Sequence, residues 1–571
     1  MLMRQFVHSL TPLVLAVTSV SANVDRPSMD AYSGRSAVLA TNGMVATSHP
    51  LASQIGLDIL KQGGSAVDAA LAANAALGLM EPYACGVGGD LFAIVWDAET
   101  QQLYGLNASG RSPGQLSFDQ MKAEVHKLGD SVIPEYGVLS LSVPGAVDGW
   151  FALHKRFGRL PMTTLLQPGI QYAEQGFPLT QVIMAEWHKA LNSIGTQPGD
   201  LNRLFKPDAE VGDVFTNPDL ANTYKLIAKH GRDGFYKGEN AKRITDFVRE
   251  QGGYLNADDL ANNHAEWVKP LSVNYRGYEV YQLPPNSQGV ATLQMLNILE
   301  GYDIKSMGFG SAELLHVLTE TKKLVFEDLA KYYADTDFAE LPIQQLLSKE
   351  YANQRRQLIS DKAQQRIASG NPALGKGDTT YITVADKAGN MVSLIQSTYY
   401  EFGSGLVAPG TGYTLQNRGR LFSLDPKHNN VYAPGKRPFH TIIPGFVTYK
   451  GQPWLSFGLM GGAIQPQGQT HVLLNMIDFG MNVQEAGDAP RWRHDGSTQP
   501  TDAADAYLKD GGVLILESTT SEETIRGLKA RGHNVQPSDF YYGGYQAIMR
   551  DSKGVYHGAS ESRKDGQAVG Y

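Results

Sequence analysis

The chain has 571 residues, of which 42% are hydrophobic and 19% are charged, so it is long enough for a sizeable core and too apolar to be disordered. Its formal net charge of −8 gives no electrostatic reason to expect a nucleic acid or an anionic membrane as a partner. Since Cys85 is the only cysteine, an intramolecular disulfide is excluded, and we interpret this residue as a buried structural thiol.

The first 22 residues have the layout of a cleavable secretory signal. Arg4 supplies a positive charge, an apolar run follows at residues 13–20, and Val20-Ser21-Ala22 offers small residues to a signal peptidase. The run is too short to span a bilayer, and no later stretch reaches the roughly 18 apolar residues of a membrane helix. We therefore expect residues 1–22 to be a signal peptide and the mature protein to be periplasmic or secreted, without a membrane anchor. A buried first helix is the alternative.

The part of the chain before residue 370 is predicted to be strongly helical. Ser65 is placed to cap a helix that runs to Met80, with Asp68 at the third helical position, where a carboxylate is favourable. A glycine-rich run ends this helix, and the apolar residues 91–96 predict a buried strand. Further helical patterns lie at residues 148–157, 293–299 and 312–333.

A loop rich in Gly and Pro, residues 369–378, separates this part from a second one with more strands. Residues 380–385, 386–390 and 391–397 are typical of a strand, a turn and a strand. Two more helices are predicted near residues 471–479 and 522–531. The pattern indicates an α/β protein with a compositional hinge at about residue 370.

Three patterns that resemble cofactor or metal sites each lack a required residue or spacing. Residues 370–376 begin like a phosphate-binding loop, but Gly377 stands where a Ser or Thr would hold magnesium. The glycines at residues 86–89 lack the third glycine of a dinucleotide fingerprint, because Leu91 takes its place. The 14 histidines do not fall at metal-ligand spacing on a helix. We therefore expect neither a metal nor another cofactor.

The junction between Asp378 and Thr379 is the candidate that remains. If this bond is cut, Thr379 gains a free α-amino group beside its own hydroxyl. Such an amine has a reference pKa near 8, so a useful fraction of it can act as a base at neutral pH. The nucleophile and its base then belong to one residue. From spacing alone, a Thr that merely caps a turn is the better-supported alternative.

The sequence resembles the γ-glutamyltransferase family of N-terminal nucleophile hydrolases. The resemblance rests on the order and spacing of short strings along nearly the whole chain: GGSAVDAA at residues 63–70, EP at 81–82, GVGGD at 86–90, SVPGAVDG at 142–149, LPPNSQG at 283–289, TTY at 379–381, FGSG at 402–405, KRP at 436–438, GLMGG at 458–462, DAPR at 488–491 and GASESR at 558–563.

The resemblance implies an αββα sandwich formed jointly by two subunits that are cut from one precursor. These would be a large subunit, residues 23–378, and a small subunit, residues 379–571, which stay together as a heterodimer. Thr379 would attack a substrate carbonyl and form an acyl-enzyme, which water or an amine then releases.

Further catalytic roles follow from the same resemblance. Ser397 stands where the family places a hydroxyl that hydrogen-bonds the nucleophile. Gly461 and Gly462 stand where backbone N–H groups stabilise the tetrahedral oxyanion. A tight turn is the alternative for the glycine pair, and both interpretations can hold together.

The substrate pocket departs from the family pattern. Ser109 stands where an Arg binds the substrate α-carboxylate, and Arg111 lies two residues later. An acidic pair expected near residues 420 and 421 is missing, a Ser-Ser pair is replaced by His440-Thr441, and the segment 422–437 is shorter than the usual lid. The candidate substrate-binding residues are Arg111, Asn417, Arg418, His440 and Thr441.

The charges of this pocket bear on the substrate. The ammonium of a γ-glutamyl group needs an acidic or neutral acceptor, whereas Arg418 attracts anions. The pattern is similar to the branch of the family with oxamate amidohydrolases and cephalosporin (glutaryl) acylases, unless Arg418 or Arg420 faces solvent.

Three functions stay open. The first is hydrolysis or transfer of γ-glutamyl groups from glutathione-type amides. The second is an amidohydrolase for a small carboxylate-bearing acyl amide. The third is a non-catalytic binding protein on the same fold. Both enzymes would act on a small-molecule amide substrate.

Overall fold

The computed structural model describes residues 32–368, 377–497, 500–503, 507–508 and 511–571. The candidate signal peptide, residues 1–22, lies outside these ranges, as do residues 369–376 of the loop before Thr379. Within the described ranges, every helix is too short or too polar to span a bilayer.

The described strands fall into two large antiparallel sheets and three small ones. In chain order they are β1 (Val38–Ala40), β2 (Met44–Thr47), β3 (Asp90–Asp97), β4 (Gln102–Ala108), β5 (Phe177–Pro178), β6 (Val214–Phe215), β7 (Glu266–Val268), β8 (Leu271–Tyr275), β9 (Tyr278–Gln282), β10 (Ile367–Ala368), β11 (Gly377–Ala385), β12 (Met391–Tyr400), β13 (Gly445–Tyr449), β14 (Gln452–Leu459), β15 (Trp492–Asp495), β16 (Tyr507–Leu508), β17 (Val513–Leu516), β18 (Val535–Pro537), β19 (Tyr545–Arg550), β20 (Tyr556–Ser560) and β21 (Gln567–Gly570).

The described helices are mostly amphipathic, and some of them pack directly on the two large sheets. They are α1 (Pro50–Lys61), α2 (Ala66–Met80), α3 (Phe118–Lys127), α4 (Ala146–Phe157), α5 (Met162–Gln175), α6 (Gln181–Ile194), α7 (Leu201–Leu204), α8 (Pro218–His230), α9 (Asp233–Tyr236), α10 (Gly238–Glu250), α11 (Ala257–Asn262), α12 (Gly289–Leu299), α13 (Ile304–Met307), α14 (Ala312–Tyr332), α15 (Ile343–Leu346), α16 (Lys349–Arg356), α17 (Gln465–Ile477), α18 (Val483–Asp488) and α19 (Glu522–Ala530). Short 3₁₀ turns lie at Val138–Ser140, Arg418–Leu421 and Gly462–Ile464.

Each large sheet has seven strands. One sheet has the order β1-β20-β19-β14-β13-β9-β8, and the other has the order β21-β2-β11-β12-β3-β4-β7. Side chains of both sheets meet in an apolar layer between them, where Trp96 stacks on Phe446. Two further apolar cores lie outside the sheets, one under α1, α2, α4, α5 and α8 and the other under α12, α14 and α17. The four layers form the αββα sandwich that the family resemblance implies.

The alternation of side chains along β11 shows how one strand serves two cores. Tyr381 and Ala385 point into the layer between the sheets, whereas Ile382 and Val384 pack against the helices on the other face. This period of two is the ordinary geometry of a strand. Since both faces are covered, apolar side chains point to both sides of the strand.

Several predicted elements are confirmed. The helix predicted from Ser65 to Met80 is α2, and it begins with a capping box in which the Ser65 Oγ accepts from the Asp68 N–H and the Asp68 carboxylate accepts from the Ser65 N–H. Every residue of α2 is buried, which explains its lack of a polar face. The strand at residues 91–96 is β3, and the strand, turn and strand after Thr379 are the β11–β12 hairpin. Cys85 is buried and is not in a disulfide.

The prediction of a strongly helical first part is incomplete. This part also supplies β2, β3, β4 and β7 to one large sheet and β1, β8 and β9 to the other. Several of these strands are only three to five residues long, so that their periodicity is weak. The strands form because each pairs with neighbours, some of which lie in the second part of the chain.

Candidate active site

Thr379 lies at an irregularity in the pairing of two central strands. The register of β11 against β12 shifts between Asp378 and Thr380, so that Ser397 and Thr398 of β12 together face Thr379. A bulge of this kind re-aims side chains locally and is frequent beside active sites. Thr379 is only 1% exposed, and β11 continues through the Asp378–Thr379 bond, so that the chain is seen in its uncut form. The sequence predicted the strand to begin near Thr379, and it begins at Gly377.

The hydroxyl of Ser397 is held from two sides. Its Oγ accepts a hydrogen bond from the Tyr399 N–H at 2.8 Å and another from Arg418 Nη2 at 3.2 Å. Tyr399 has φ 85°, a left-handed conformation that a residue with a large side chain adopts only where its surroundings impose it. The fold thus places Thr379, Ser397 and Arg418 in one neighbourhood.

Arg418 is fully buried, and its guanidinium is only partly satisfied. Nη1 donates to the Thr441 Oγ1 at 2.8 Å, Nη2 donates to Ser397, and the group lies 4.3 Å from the centre of the Tyr399 ring. Nε has no partner in the described chain. The guanidinium therefore uses two of its five N–H groups on protein atoms. The alternative in which Arg418 or Arg420 faces solvent is wrong, since their exposed fractions are 0% and 5%.

Asp90 supplies the negative charge near Arg418. One carboxylate oxygen accepts from the backbone N–H groups of Gly110 and Gly145 and from Gln416 Nε2, at 2.9, 3.1 and 2.8 Å. Burial raises the pKa of Asp90 to about 6, although the Arg418 charge and these hydrogen bonds oppose the rise. Burial likewise lowers the pKa of Arg418 to about 10, so that it stays a cation at neutral pH.

His440 completes this arrangement. Its Nε2 lies 3.1 Å from the second Asp90 carboxylate oxygen, and its Nδ1 accepts from the Ile442 N–H at 3.4 Å. Burial, together with the Arg418 charge, holds the pKa of His440 well below its usual value, so that the neutral ring donates from Nε2 to Asp90. We call Asp90, Arg418, His440 and Thr441 the buried ionic cluster.

Three members of this cluster were predicted from the sequence as substrate-binding residues, whereas Asp90 was not. The available signal was an acidic residue at the end of the GVGGD string, directly before the apolar residues 91–96. Such a residue is expensive to bury unless it is hydrogen-bonded and faces a positive charge.

Asn417 has a structural place in the site. Its side-chain oxygen accepts from the Tyr400 N–H at 3.1 Å, and its amide donates to the Glu135 carbonyl at 2.7 Å. These bonds fix the end of β12 against the 3₁₀ turn that carries Arg418. Both polar groups of the amide are therefore already engaged with the backbone.

Arg111 is placed differently from the expectation. Nη2 donates to Glu266 at 3.0 Å and to Asp337 at 2.8 Å, while Nη1 donates to the Gly435 carbonyl at 3.0 Å and lies 3.5 Å from Asp335. Its charge is compensated by carboxylates that come from distant parts of the sequence. None of its hydrogen bonds reaches the buried ionic cluster, and we leave it out of the proposed binding site.

The glycine pair forms a tight turn, as its structural interpretation predicted. Gly461 and Gly462 have φ of 117° and 66°, which favour glycine. A Cβ at residue 461 would lie 2.8 Å from the Ile464 Cγ2. The 3₁₀ turn Gly462–Ile464 packs against β11, the strand of Thr379.

Gln288, which the sequence analysis did not single out, connects this turn to the buried ionic cluster. Its Nε2 donates to the Gly462 carbonyl at 2.9 Å and also to the Thr441 carbonyl. The signal for it was its place in the LPPNSQG string at residues 283–289. One buried amide therefore fixes the relative position of two candidate site segments.

A cavity of about 770 Å³ opens beside the same turn. We call it the Gly461 cavity, because this glycine is part of its wall. Charged side chains line it together with an aromatic segment, and Thr379 is not part of its wall in the uncut chain. Its lining residues include Glu186, Lys189, Glu401, Arg493, Phe540 and Tyr541.

One group of side chains has the composition of a metal site. His316, Glu320 and His533 bring ligand atoms within 4.8 Å of one another. The histidine rings instead share a hydrogen bond, with Nδ1 of His316 and Nε2 of His533 2.8 Å apart, and Glu320 binds the Lys323 ammonium at 2.7 Å. This group was not predicted from the sequence, because its two histidines lie 217 residues apart rather than on one helix. With a lysine charge beside Glu320, we interpret the group as hydrogen-bonded core.

Comparisons with known proteins agree with this architecture. A family model described as Gamma-glutamyltranspeptidase matches residues 52–571. A glutathione hydrolase-like YwrD proenzyme of Bacillus subtilis is 40% identical over 93% of this chain and 99% of its own length. An acylase ACY 1 proenzyme of a Pseudomonas strain is 36% identical over 93% of each chain. The crystal structure of a cephalosporin acylase from Bacillus halodurans superposes with a TM-score of 0.86, at 41% identity, over 96% of this chain and 99% of that one.

Proposed function

This chain belongs to the gamma-glutamyltranspeptidase family and is an amide-cleaving enzyme of the N-terminal nucleophile hydrolase type, and we propose that it is a self-processing amidohydrolase for acyl groups that carry a carboxylate. Membership in a family of hydrolases and acyltransferases sets aside the non-catalytic binding protein. The acyl group is small, of the oxamate or glutaryl type, and needs no amine of its own.

The observation that carries this proposal is the state of Arg418. A buried guanidinium with an unpaired Nε and no bonded counter-ion is a costly feature unless a ligand completes it. A carboxylate is the planar anion that this fork binds best. Arg418 also donates to Ser397, which faces Thr379. A bound carboxylate would therefore lie close to the proposed nucleophile.

The chemistry uses groups of the chain alone. The cut before Thr379 gives this residue a free amine, which takes the proton of its own hydroxyl as the oxygen attacks the substrate carbonyl. The C–N bond of the amide then breaks, and the proton passes to the leaving nitrogen. Water, or a second amine, attacks the resulting ester and restores the hydroxyl.

Two further groups support these steps. The Ser397 hydroxyl is positioned by the Tyr399 N–H and Arg418, and in the mature enzyme it would bind the Thr379 oxygen. The backbone N–H groups of Gly461 and Gly462 would stabilise the oxyanion, and removing such a donor typically costs about 10²- to 10³-fold in kcat.

Maturation is part of the proposal. We propose that residues 1–22 are a signal peptide, that the protein acts in the periplasm or outside the cell, and that residues 23–378 and 379–571 remain together after the cut. The names of the relatives support the cut, because the YwrD and ACY 1 proteins are both named as proenzymes.

Hydrolysis or transfer of γ-glutamyl groups is the second candidate. Asp90 favours it, because a buried carboxylate in the cluster could accept the α-ammonium of a glutamyl group. The 40% identity to a glutathione hydrolase-like protein supports it as well. Asp90 is, however, already bound by four N–H donors, whereas Arg418 is not saturated.

The test has two stages. Intact mass and N-terminal sequencing of the purified protein should give two chains, one of which begins at Thr379. A single uncut chain that begins near residue 23 would remove the mechanism.

The second stage compares acyl donors that share one leaving group: the p-nitroanilides of glutarate, of γ-glutamate and of butyrate. We expect the glutaryl donor to be cleaved fastest and the butyryl donor, which lacks a carboxylate, slowest. A faster γ-glutamyl donor would favour the second candidate, and equal glutaryl and butyryl rates would exclude carboxylate recognition.

A further inference from the structure

We propose that Arg437 is a positioning residue: it fixes the groups that hold Asp90 away from Arg418, and so keeps the Arg418 guanidinium open to the carboxylate of the substrate. Arg437 takes no part in bond cleavage in this scheme. Its only mark in the sequence is its place in the KRP string at residues 436–438. This inference rests on the proposed function, because it concerns the recognition of the same carboxylate.

Arg437 is a buried cation with many partners. Its side chain is 2% exposed, and Nη2 donates to the Glu266 carboxylate at 2.8 Å and to the His264 carbonyl at 3.3 Å. Nη1 lies 3.7 Å from the Asp337 carboxylate, while the backbone N–H donates to the Asp335 carboxylate at 2.8 Å. A guanidinium is costly to bury without such partners, and with them it is held in one place.

Arg111 shares the same three carboxylates. It lies 3.0 Å from Glu266, 3.5 Å from Asp335 and 2.8 Å from Asp337. We call these two arginines and three carboxylates the Arg437 clasp. Only Arg437 comes from the proposed small subunit, so that the clasp would join the two subunits after the cut.

One donor of Arg437 reaches a peptide group that binds Asp90. Nε donates to the Ser109 carbonyl at 3.2 Å, and the N–H of the next residue, Gly110, donates to an Asp90 carboxylate oxygen at 2.9 Å. The C=O and the N–H belong to the same planar peptide unit and move together. A displacement of the Arg437 side chain would therefore be passed on directly to a hydrogen bond that holds Asp90.

The chain that follows Arg437 provides a second link. Asn286 Nδ2 donates to the Pro438 carbonyl at 2.7 Å, and the His440 N–H donates to the Asn286 carbonyl at 2.9 Å. Arg437 and Asn286 thus fix the stretch that leads into His440. The ring of this histidine in turn lies 3.1 Å from Asp90. Both links therefore end on the same carboxylate.

These links explain why two buried opposite charges stay apart. Among the described residues, Asp90 forms no salt bridge with Arg418, although both are fully buried. The attraction between such charges is strong where water is excluded. An Asp90 released from either link would turn toward Arg418 and compete with the carboxylate of the substrate. Arg437 therefore favours ligand binding by preventing an internal ion pair.

The test measures KM and kcat for the glutaryl and butyryl p-nitroanilides in variants of the clasp. Arg437→Gln removes the charge, Arg437→Lys keeps it, and Glu266→Gln removes a carboxylate that is 46% exposed. The control is Arg355→Gln, because Arg355 is 15% exposed and lies 3.1 Å from Glu327 and 3.3 Å from Asp328, outside the clasp. Intact mass and thermal unfolding show whether each variant is cut and folded.

We expect Arg437→Gln to raise KM for the glutaryl donor about tenfold and to leave kcat within about twofold, because recognition is lost while the nucleophile is unchanged. For the butyryl donor, kcat/KM should stay the same. Arg437→Lys should limit the rise in KM to about threefold, since an ammonium still binds the carboxylates, and Glu266→Gln should raise KM about twofold. Arg355→Gln should lower the unfolding temperature without changing KM.

A second background separates positioning from general damage to the fold. In Asp90→Asn no carboxylate competes for Arg418, so that adding Arg437→Gln should raise KM for the glutaryl donor less than about twofold. Damage to the fold would instead raise KM equally in both backgrounds.

The outcomes separate this inference from the proposed function. A KM that stays at the wild-type value in Arg437→Gln, or that rises equally in the Asp90→Asn background, overturns the inference and leaves the proposed function standing. If Arg437→Gln fails to mature, Arg437→Lys replaces it in both comparisons under the same criteria. If the wild-type enzyme and Arg355→Gln do not prefer the glutaryl donor to the butyryl donor, the proposed function fails, and the inference fails with it.

Discussion

The buried ionic cluster and the Gly461 cavity are both connected to the glycine turn at Gly461–Gly462, but their charges lie in different surroundings. In the cluster, Arg418 and Asp90 are fully buried, and among the described residues they form no salt bridge and the Arg418 Nε has no partner. In the cavity, Lys189 is about one-third exposed and lies within 3.5 Å of two carboxylates.

This difference in burial and pairing predicts how strongly the charges of the cluster and of the cavity interact with a ligand. An incompletely paired charge in a dehydrated site interacts strongly with a ligand, because little water screens it. A partly exposed charge that already has partners gains little from another one, typically under about 1 kcal/mol. The buried ionic cluster should therefore select its ligand strictly, whereas the charges of the cavity should add little to the binding of any ligand.

Removing the proposed nucleophile should abolish both maturation and amide cleavage. Thr379→Ala should remain one uncut chain without measurable amidase activity, because maturation and catalysis use the same hydroxyl. Intact mass and an amidase assay check both effects. Thr380→Ala is a matched control that should mature, since we assign no chemistry to its hydroxyl. A Thr379→Ala protein that is still cut before residue 379 would contradict the mechanism.

The next largest effect should come from the buried ionic cluster. Arg418→Met should lower kcat/KM for the carboxylate-bearing donor about 100-fold, equivalent to roughly 2.7 kcal/mol, and change the butyryl donor much less. Steady-state kinetics with both donors measures the difference.

Folding must be separated from recognition in that variant, because Asp90 loses the cation that faces it. The double variant Asp90→Asn with Arg418→Met removes both charges and should regain stability without regaining the carboxylate donor. Arg418→Lys should recover part of the selectivity. Normal turnover of the glutaryl donor by Arg418→Met would show that Arg418 does not bind the carboxylate of the donor.

A change in the glycine turn at Gly461–Gly462 should lower kcat rather than change which donor the enzyme binds. Gly461→Ala places a Cβ 2.8 Å from the Ile464 side chain and 3.2 Å from the Gly543 Cα, at φ 117°. The displaced N–H should lower kcat about 100-fold, with KM nearly unchanged for every donor. Gly480→Ala is the control: Gly480 also has a positive φ, 71°, but an added Cβ would meet no atom within 4 Å, so this variant should retain activity. A selective rise in KM for one donor would place Gly461 in recognition instead.

The smallest expected effect concerns pH. Because burial raises the pKa of Asp90 to about 6, this carboxyl takes up a proton as the pH falls from 7.5 to 5.5. Arg418 then faces less negative charge, so that KM for the glutaryl donor should fall a few-fold. Kinetics over this range should show the trend in the wild-type enzyme and lose it in Asp90→Asn.

The same proton should affect stability with a known sign. The pKa of Asp90 is higher in the fold than the ordinary value of 3.8, so that proton uptake favours the folded state. This contribution is fully present below about pH 4 and is lost as the pH rises through about 6. Thermal unfolding between pH 5 and 7 should show a stronger pH dependence in the wild-type enzyme than in Asp90→Asn. Equal slopes would mean that Asp90 does not titrate in this range.

Local features of the fold were predictable from the sequence. Ser65 and Asp68 mark the start of α2 because a capping box needs only residues three apart. The β11–β12 hairpin follows from two apolar runs around a polar turn. The two-sheet sandwich came from the family resemblance, since the short strands β8 and β9 leave too little pattern to read.

The candidate site was predictable only in part. Arg418 could be named from its departure from the family pattern, but its burial depends on Asp90 and Tyr399, which come from two different strands. Arg111 was expected in the pocket, yet Glu266, Asp335 and Asp337 lie far along the chain and bind it elsewhere. The Gly461 cavity is built from α6, from Glu401 and from residues 460 onwards, which only the folded topology brings together.

The interleaving of the two large sheets suggests why folding of the chain should precede the proposed cut. Five strand pairs of these sheets join a strand before residue 378 to one after it: β1 with β20, β2 with β11, β2 with β21, β3 with β12 and β9 with β13. The proposed cut before Thr379 would break none of these five pairings, so that the two subunits would stay together. Two separately synthesised halves would each expose unpaired strand edges before meeting, and edges of that kind aggregate. A single polypeptide chain that folds first and is cut afterwards would avoid this hazard.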